Sequence, residues 1–164
     1  PHFGFRSVIY LAETAACKPL HDPDDELAEL KAAVATYPPA LKRRIVADCL
    51  WGAEFSLLFA GDFARRGEVA NVAGSLTRVH HYLVQTLFAL NETYFINDKG
   101  VDAAIEGFTL LPRNFTRVTA EALGWVGASP AELGAAVERF RGLVRAAVDL
   151  ADGMYEARFV LPGA

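Results

Sequence analysis

Apolar residues along the chain recur mostly at intervals of three and four, the spacing that gathers side chains on one face of an α-helix. The clearest run is Val69, Val72, Leu76, Val79, Leu83, Leu87 and Leu90, which predicts a helix over residues 68–94 with one buried stripe. Leu133, Val137, Phe140, Val144, Val148 and Ala151 predict another that reaches about Arg158. Its start carries a specific signal: Ser129 as cap, Pro130 at the first helical position and Glu132 closing a capping box. Over residues 39–66, Leu41, Ile45, Cys49, Phe55, Leu58, Phe59 and Phe63 follow the same period imperfectly, and Arg65-Arg66-Gly67 closes that helix.

Shorter elements fill the gaps. Asp22 as cap, Pro23, and the acidic Asp24, Asp25 and Glu26 predict a helix over residues 23–36, which Tyr37-Pro38-Pro39 breaks. Asn97-Asp98-Lys99-Gly100 marks a turn before a short helix over residues 101–106, and Leu111-Pro112 introduces one that ends near Gly124. The opening departs from the pattern. Phe5 to Leu11 is rich in β-branched and aromatic residues and reads as a strand. A lone strand needs neighbours. Either it pairs with Arg158 to Leu161 as a hairpin, or it belongs to a sheet-bearing domain upstream, the favoured reading. The expected fold class is therefore all-α. It is an antiparallel bundle of four to five helices over residues 23–164, with a short N-terminal β-strand and connector (residues 1–22) left from an upstream catalytic domain.

Composition narrows the field. The 164 residues suit one core, with 52% hydrophobic and 22% charged residues, a globular balance. Sixteen basic and twenty acidic residues give a net charge of -4, which argues against general binding to nucleic acid. Cys17 and Cys49 make no disulfide framework and read as reduced thiols. Asn91-Glu92-Thr93 and Asn114-Phe115-Thr116 match the glycosylation sequon by chance, without a secretory signal. The uncharged stretch from Val79 to Asn91 is too short to cross a hydrocarbon core about 30 Å thick. A cytoplasmic protein with no membrane contact is expected.

Few chemical motifs stand out. No phosphate-binding Gly-rich loop, Cys-x-x-Cys pair or nucleophile elbow is present. His80 and His81 are adjacent on a helix and point about 100° apart, so they suit one half-buried and one exposed histidine rather than a metal site. No metal ligands and no catalytic residues are assigned. Asn71, Ser75, Arg78, Tyr82 and Gln85 form a polar stripe beside the apolar one, and Asp48, Trp51, Glu54 and Phe55 form a mixed strip on the preceding helix. If those helices are antiparallel about Gly67, Glu54 and Arg78 come within reach of an ion pair, either a clasp or the wall of a polar cleft. At the end of the helix, Asn91, Tyr94 and Lys99 could serve a ligand: Tyr94 by stacking, Lys99 by contacting phosphate or an acidic group. The plainer reading, an ordinary helix end with Asn in a turn, is preferred on chemistry alone.

Several segments together resemble bacterial nucleotidyltransferase-domain proteins of the polymerase-β-like superfamily. They are Leu11-Ala12-Glu13 through Pro19-Leu20-His21-Asp22-Pro23, Leu50-Trp51-Gly52-Ala53-Glu54-Phe55-Ser56, Arg66-Gly67-Glu68, and Gln85-Thr86-Leu87-Phe88-Ala89-Leu90-Asn91 through Lys99. In that family a mixed-sheet catalytic domain precedes a helical one. The family's Gly-Ser and paired carboxylates are not matched: Gly74-Ser75 lies within a predicted helix and no Asp-x-Asp follows it. The resemblance therefore implies the helical substrate-binding or dimerisation domain of an enzyme that transfers a nucleoside monophosphate to a hydroxyl. The complete enzyme would use Mg²⁺ and a nucleoside triphosphate, with no cofactor bound by this chain. Its implied partners are the upstream catalytic domain, a small-molecule acceptor and a second copy. Glu54, Arg78, Gln85, Asn91, Tyr94 and Lys99 are the implied substrate-binding positions. The alternative is a stand-alone helical interaction module that partners a separate catalytic protein.

Overall fold

A computed structural model of the chain describes residues 7–159. Among them there are seven helices and no strand: α1 (Val8–Ala16), α2 (Glu26–Val34), α3 (Pro39–Arg65), α4 (Val69–Leu90), α5 (Val101–Glu106), α6 (Phe115–Gly124) and α7 (Pro130–Leu150). The all-α expectation holds.

Three long helices carry most of the core. The turn at Arg66-Gly67-Glu68 sends α4 back along α3, and α7 packs on both. On α4, Val72, Leu76, Val79, Leu83, Leu87 and Leu90 are all buried, as their spacing predicts, while Val69 at the helix start is exposed. On α7, Leu133, Val137, Phe140 and Val144 are likewise buried, as is Ala151 at its C-cap, while Val148 is half-buried. Each such aliphatic side chain contributes about 1.5–3 kcal/mol on leaving water. The exposed i,i+4 pairs Arg44–Asp48 and Arg117–Glu121 each add only about 0.3–0.5 kcal/mol. Apolar burial, not surface charge, decides the fold.

On α3 the inward face differs from the one expected. Ile45 and Cys49 are buried as expected, and the inward stripe continues through Val46, Leu50, Ala53, Leu57, Ala60 and Ala64, in steps of three and four. Phe55 and Phe59, taken from sequence as core, are 40% and 42% exposed. The reason is contact with two neighbours at once: α3 meets α4 and α7 along its length, and small residues let both approach. A Cβ added to Gly52 would lie 2.7 Å from Cζ of Tyr82 on α4, and one added to Gly61 would lie 2.8 Å from Nη2 of Arg141 on α7.

The ends of the helices depart from expectation in four places. Where a strand was expected from Phe5 to Leu11, residues from Val8 onward are helical, and Phe5 and Arg6 lie outside the described residues. The remainder of that segment, Tyr-Leu-Ala-Glu-Thr-Ala-Ala, supplies good helix formers, and Val8 and Ala12, four apart, are buried on one face. Lys31 of α2 donates to the carbonyl oxygens of Ala15 (2.7 Å) and Cys17 (2.8 Å), a cation at the negative end of α1. Of the hairpin partner Arg158 to Leu161, only Arg158 and Phe159 are described, and neither is in a strand.

Asp22 does serve α2, from further upstream than an N-cap: its carboxylate accepts from the amides of Leu27 (3.1 Å) and Ala28 (3.0 Å), while Asp25 takes the cap in a left-handed conformation. The fourth helix ends at Leu90 rather than Tyr94, because Glu92 turns left-handed (φ 52°) and the Thr93 amide reaches back to the Phe88 oxygen. The last helix stops at Leu150, well before Arg158, at the consecutive left-handed residues Asp152 (φ 45°) and Gly153 (φ 78°). The start of α7 is as expected, with the Ser129–Glu132 capping box formed.

No described helix is long and apolar enough to cross a membrane. Cys17 and Cys49 are free cysteines. The entry to α7 also depends on Gly127, at φ 102°, where an added Cβ would lie 2.4 Å from Cβ and 2.8 Å from the backbone carbon of Glu132. Gly127→Ala is expected to lower unfolding free energy by about 2 kcal/mol or more. Gly134→Ala, inside α7 with open space for the methyl, should raise it by up to about 1 kcal/mol. Urea denaturation followed by circular dichroism checks both.

Candidate functional site

Six positions were singled out from sequence, and they do not converge on one pocket. Arg78 and Gln85 are separated by seven residues of α4, about 10 Å of helix, and Asn91 lies a further 9 Å on. The predicted Glu54–Arg78 ion pair does not form among the described residues. Arg78 donates instead to the Ser75 hydroxyl on its own helix at 3.0 Å. Gln85 is buried.

Glu54 anchors a different constellation. It is 3% exposed, and its Oε2 accepts from the Tyr155 hydroxyl at 2.6 Å and from the Arg158 amide at 3.0 Å. The early end of α7 makes this contact: the chain turns back at Asp152-Gly153 and lays Tyr155 across α3. Burial, and then the bond to the Glu54 carboxylate, push the Tyr155 phenol well above its ordinary range, so it stays protonated as the donor. Tyr155 lies 101 positions from Glu54, and nothing local in the sequence marks the pairing.

Beside this buried knot lies an exposed aromatic ladder. Trp51 and Phe55 stack with centroids 5.0 Å apart, Phe59 meets Phe55 edge-on at 5.0 Å, and Phe63 follows at 6.5 Å. Phe159 comes from the far end of the chain to sit 6.1 Å from both Trp51 and Phe55. Trp51, Phe55 and Phe59 remain 40–42% exposed. Their four-residue spacing was a signal available in the sequence, hidden because Phe55 and Phe59 were counted with the core and Trp51 with a mixed polar strip.

Asn91 and Tyr94 belong to the opposite end of α3. The Asn91 amide nitrogen donates to the oxygens of Leu87 (2.8 Å) and Leu110 (2.9 Å), and its oxygen accepts from the Leu110 amide (2.9 Å). It clasps the end of α4 to the segment before α6, and both hydrogen-bonding ends of the amide are committed. Tyr94 stacks on Tyr37 at 4.7 Å, with its hydroxyl buried and without a partner among the described residues. Burial first, then the neighbouring Tyr94, push the Tyr37 phenol up to about 12. Lys42 of α3 reaches Glu92 at 3.0 Å, closing the same corner. Lys99 is exposed in the following turn, its amide donating to Asn97 Oδ1.

The two adjacent histidines are both partly buried, where one exposed was expected. His80 stacks on Phe115 at 6.0 Å and 18°, with Nδ1 buried and unpartnered among the described residues. Burial, followed by repulsion from His81, holds its pKa below the usual histidine value, against a partial pull from Asp102 and Asp98. Among the described residues no group of three or more His, Cys, Asp or Glu side chains is placed to hold a metal.

Residues 7–99 match the model of a domain family of unknown function, DUF4037, and the chain belongs to that family. The match covers α1 to α4 and thus Glu54, the ladder on α3 and all six positions drawn from sequence; Tyr155 and Phe159 lie beyond it. No curated protein and no solved structure matches the chain.

Tyr155→Phe removes one of two donors to a buried carboxylate and is expected to cost about 1–3 kcal/mol in urea unfolding. His80 gives a pH dependence. Because its folded pKa lies below the unfolded value of about 6.5, its neutral form is favoured by folding. That contribution is complete above about pH 6.5 and is lost as pH falls toward the folded pKa. Between about pH 7.5 and about pH 5, the native chain should therefore lose more stability than His80→Phe, as read from urea midpoints.

Proposed function

We propose that the chain is the helical, non-catalytic portion of a nucleotidyltransferase, in which α3, α4 and α7 form the centre of an antiparallel bundle. In this reading it seats the domain that carries the chemistry and helps shape the cleft for a hydroxyl acceptor. The observation that carries the proposal is the ladder of Trp51, Phe55 and Phe59, open to solvent over two turns of α3. Single exposed apolar side chains are ordinary, but a contiguous aromatic face is a feature of surfaces that meet a partner.

Two further observations support it. Leu50 to Ser56, one of the segments that resemble nucleotidyltransferase-domain proteins, contributes Trp51 and Phe55 to this exposed face, so the likeness is not one of core packing alone. Gly74-Ser75, which does not match the family's Gly-Ser, lies inside α4 with Ser75 fully buried and bonded to Arg78. It cannot act as a phosphate-cradling turn there. The described residues do not fit a magnesium site, and no step through the metal is assigned to them. In the complete enzyme Mg²⁺ and the nucleoside triphosphate belong to the partner domain.

The purified chain, given nucleoside triphosphate, Mg²⁺ and a hydroxyl acceptor, is expected to transfer no nucleotide; turnover would overturn the reading. A Trp51→Asp, Phe59→Asp double variant should keep its circular dichroism and lose association with a nucleotidyltransferase catalytic domain supplied as a separate chain. Sedimentation separates the second reading, a homodimer through the same ladder: a dimer that the double variant abolishes, with no heterologous complex, would favour it.

A further inference from the structure

The aromatic face of α3 already carries an occupant, the chain's own segment after α7. Where α7 ends, Asp152 and Gly153 turn the backbone left-handed (φ 45° and 78°), a conformation that aspartate takes far less readily than glycine. Met154 to Phe159 then run over α3 without entering a helix or strand. Three contacts fasten this segment. The Tyr155 hydroxyl and the Arg158 amide both donate to one oxygen, Oε2 of Glu54, at 2.6 and 3.0 Å. Phe159 lies 6.1 Å from the rings of Trp51 and Phe55. Between these points Glu156, Ala157 and Arg158 are exposed.

Glu54 shows what kind of contact this is. It stands three residues after Trp51 on α3 and so adjoins the ladder on the helix surface. A carboxylate is seldom buried, because desolvating its charge is costly, yet this one is 3% exposed. The two donors that the segment brings to it, a phenol and a backbone amide, are both neutral. When the segment lifts, the carboxylate regains water, and that gain offsets part of what the segment loses. An apolar side chain at position 54 would give no such return. The cover is built to come off.

We propose that residues 154–159 stand in for a partner protein: they occupy, and can vacate, a surface on α3 that accepts an extended polypeptide bearing a tyrosine and, four residues on, an aromatic ring. The incoming tyrosine hydroxyl takes over the Glu54 carboxylate, and the second ring takes the place of Phe159 against Trp51 and Phe55. A purely apolar segment is rejected, because it would bury the carboxylate without a donor. The tethered segment competes at high local concentration, so only chains that have vacated the surface can bind. This inference rests on the reading of the ladder as a partner surface and adds what that partner must present.

The probe is a dye-labelled synthetic peptide, Asp-Gly-Met-Tyr-Glu-Ala-Arg-Phe, with the sequence of residues 152–159, titrated with the full chain and followed by fluorescence anisotropy. Phe159→Ser, at a half-buried position, weakens the internal copy, and that chain should bind the peptide at least about tenfold tighter than the native one. The same peptide carrying Tyr155→Phe should bind roughly fivefold more weakly. The Trp51→Asp, Phe59→Asp chain should not bind it. A second readout needs no peptide: with Trp125→Phe, Trp51 is the one remaining tryptophan, and adding Tyr155→Phe should raise its quenching by acrylamide at unchanged circular dichroism. Equal or absent peptide binding in a folded Phe159→Ser chain overturns the proposal, and so does quenching that Tyr155→Phe leaves unchanged. A native dimer that the peptide dissociates in sedimentation also overturns it, since the occupant is then a second copy. Peptide binding without capture of a catalytic domain would leave this inference standing and end the proposed function; capture without peptide binding would do the reverse.

Discussion

The demand that one helix touch two others along its length governs this molecule. The third helix lies against both α4 and α7, and close approach on two sides removes bulk from its inner surface. Alanine at 53, 60 and 64 and glycine at 52 and 61 meet that demand. Leu50 and Leu57 still fill the inner face between these small residues, while the aromatic Trp51, Phe55 and Phe59 emerge on the side that neither neighbour covers. The same small residues admit Tyr82 and Arg141 to the helix surface. Packing and surface chemistry are consequences of one geometric requirement.

Much of this was legible in the sequence. The stripes of α4 and α7 were read correctly because leucine and valine at three- and four-residue steps leave one assignment of the inward face. The Ser129–Glu132 box was readable because its donors and acceptors lie within one turn. The α3 face was misread for a physical reason. Ile45 and Cys49 were placed correctly, but beyond them hydrophobicity alone ranks Phe55 and Phe59 as core, whereas packing distance chooses Ala53, Leu57, Ala60 and Ala64. The Val8 segment was misread because β-branched and aromatic content outweighed the alanines after it, and local propensity is a weak prior.

The candidate site was less legible, since it is assembled by long-range folding. Glu54 was identified as a residue of consequence, but its partner was sought on the next helix in sequence. The structure supplies it from beyond α7, after a helix stop set by a left-handed Asp152-Gly153 pair. Neither residue announces that conformation strongly enough to outvote the helical pattern around it. Asn91 was found by position and holds the fold together: its amide stands in for the backbone partners that Leu110 would otherwise lack.

The second helix shows what happens where the central requirement does not reach. It buries none of its own residues and is attached chiefly through α1, with Lys31 bridging to the carbonyls there. Unwinding it frees no buried side chain of its own, so little burial within the helix opposes the gain in chain entropy. Amide hydrogens of this helix should therefore trade with solvent long before those of α4. The molecule behaves as a tight three-helix kernel wearing a loosely fastened outer turn.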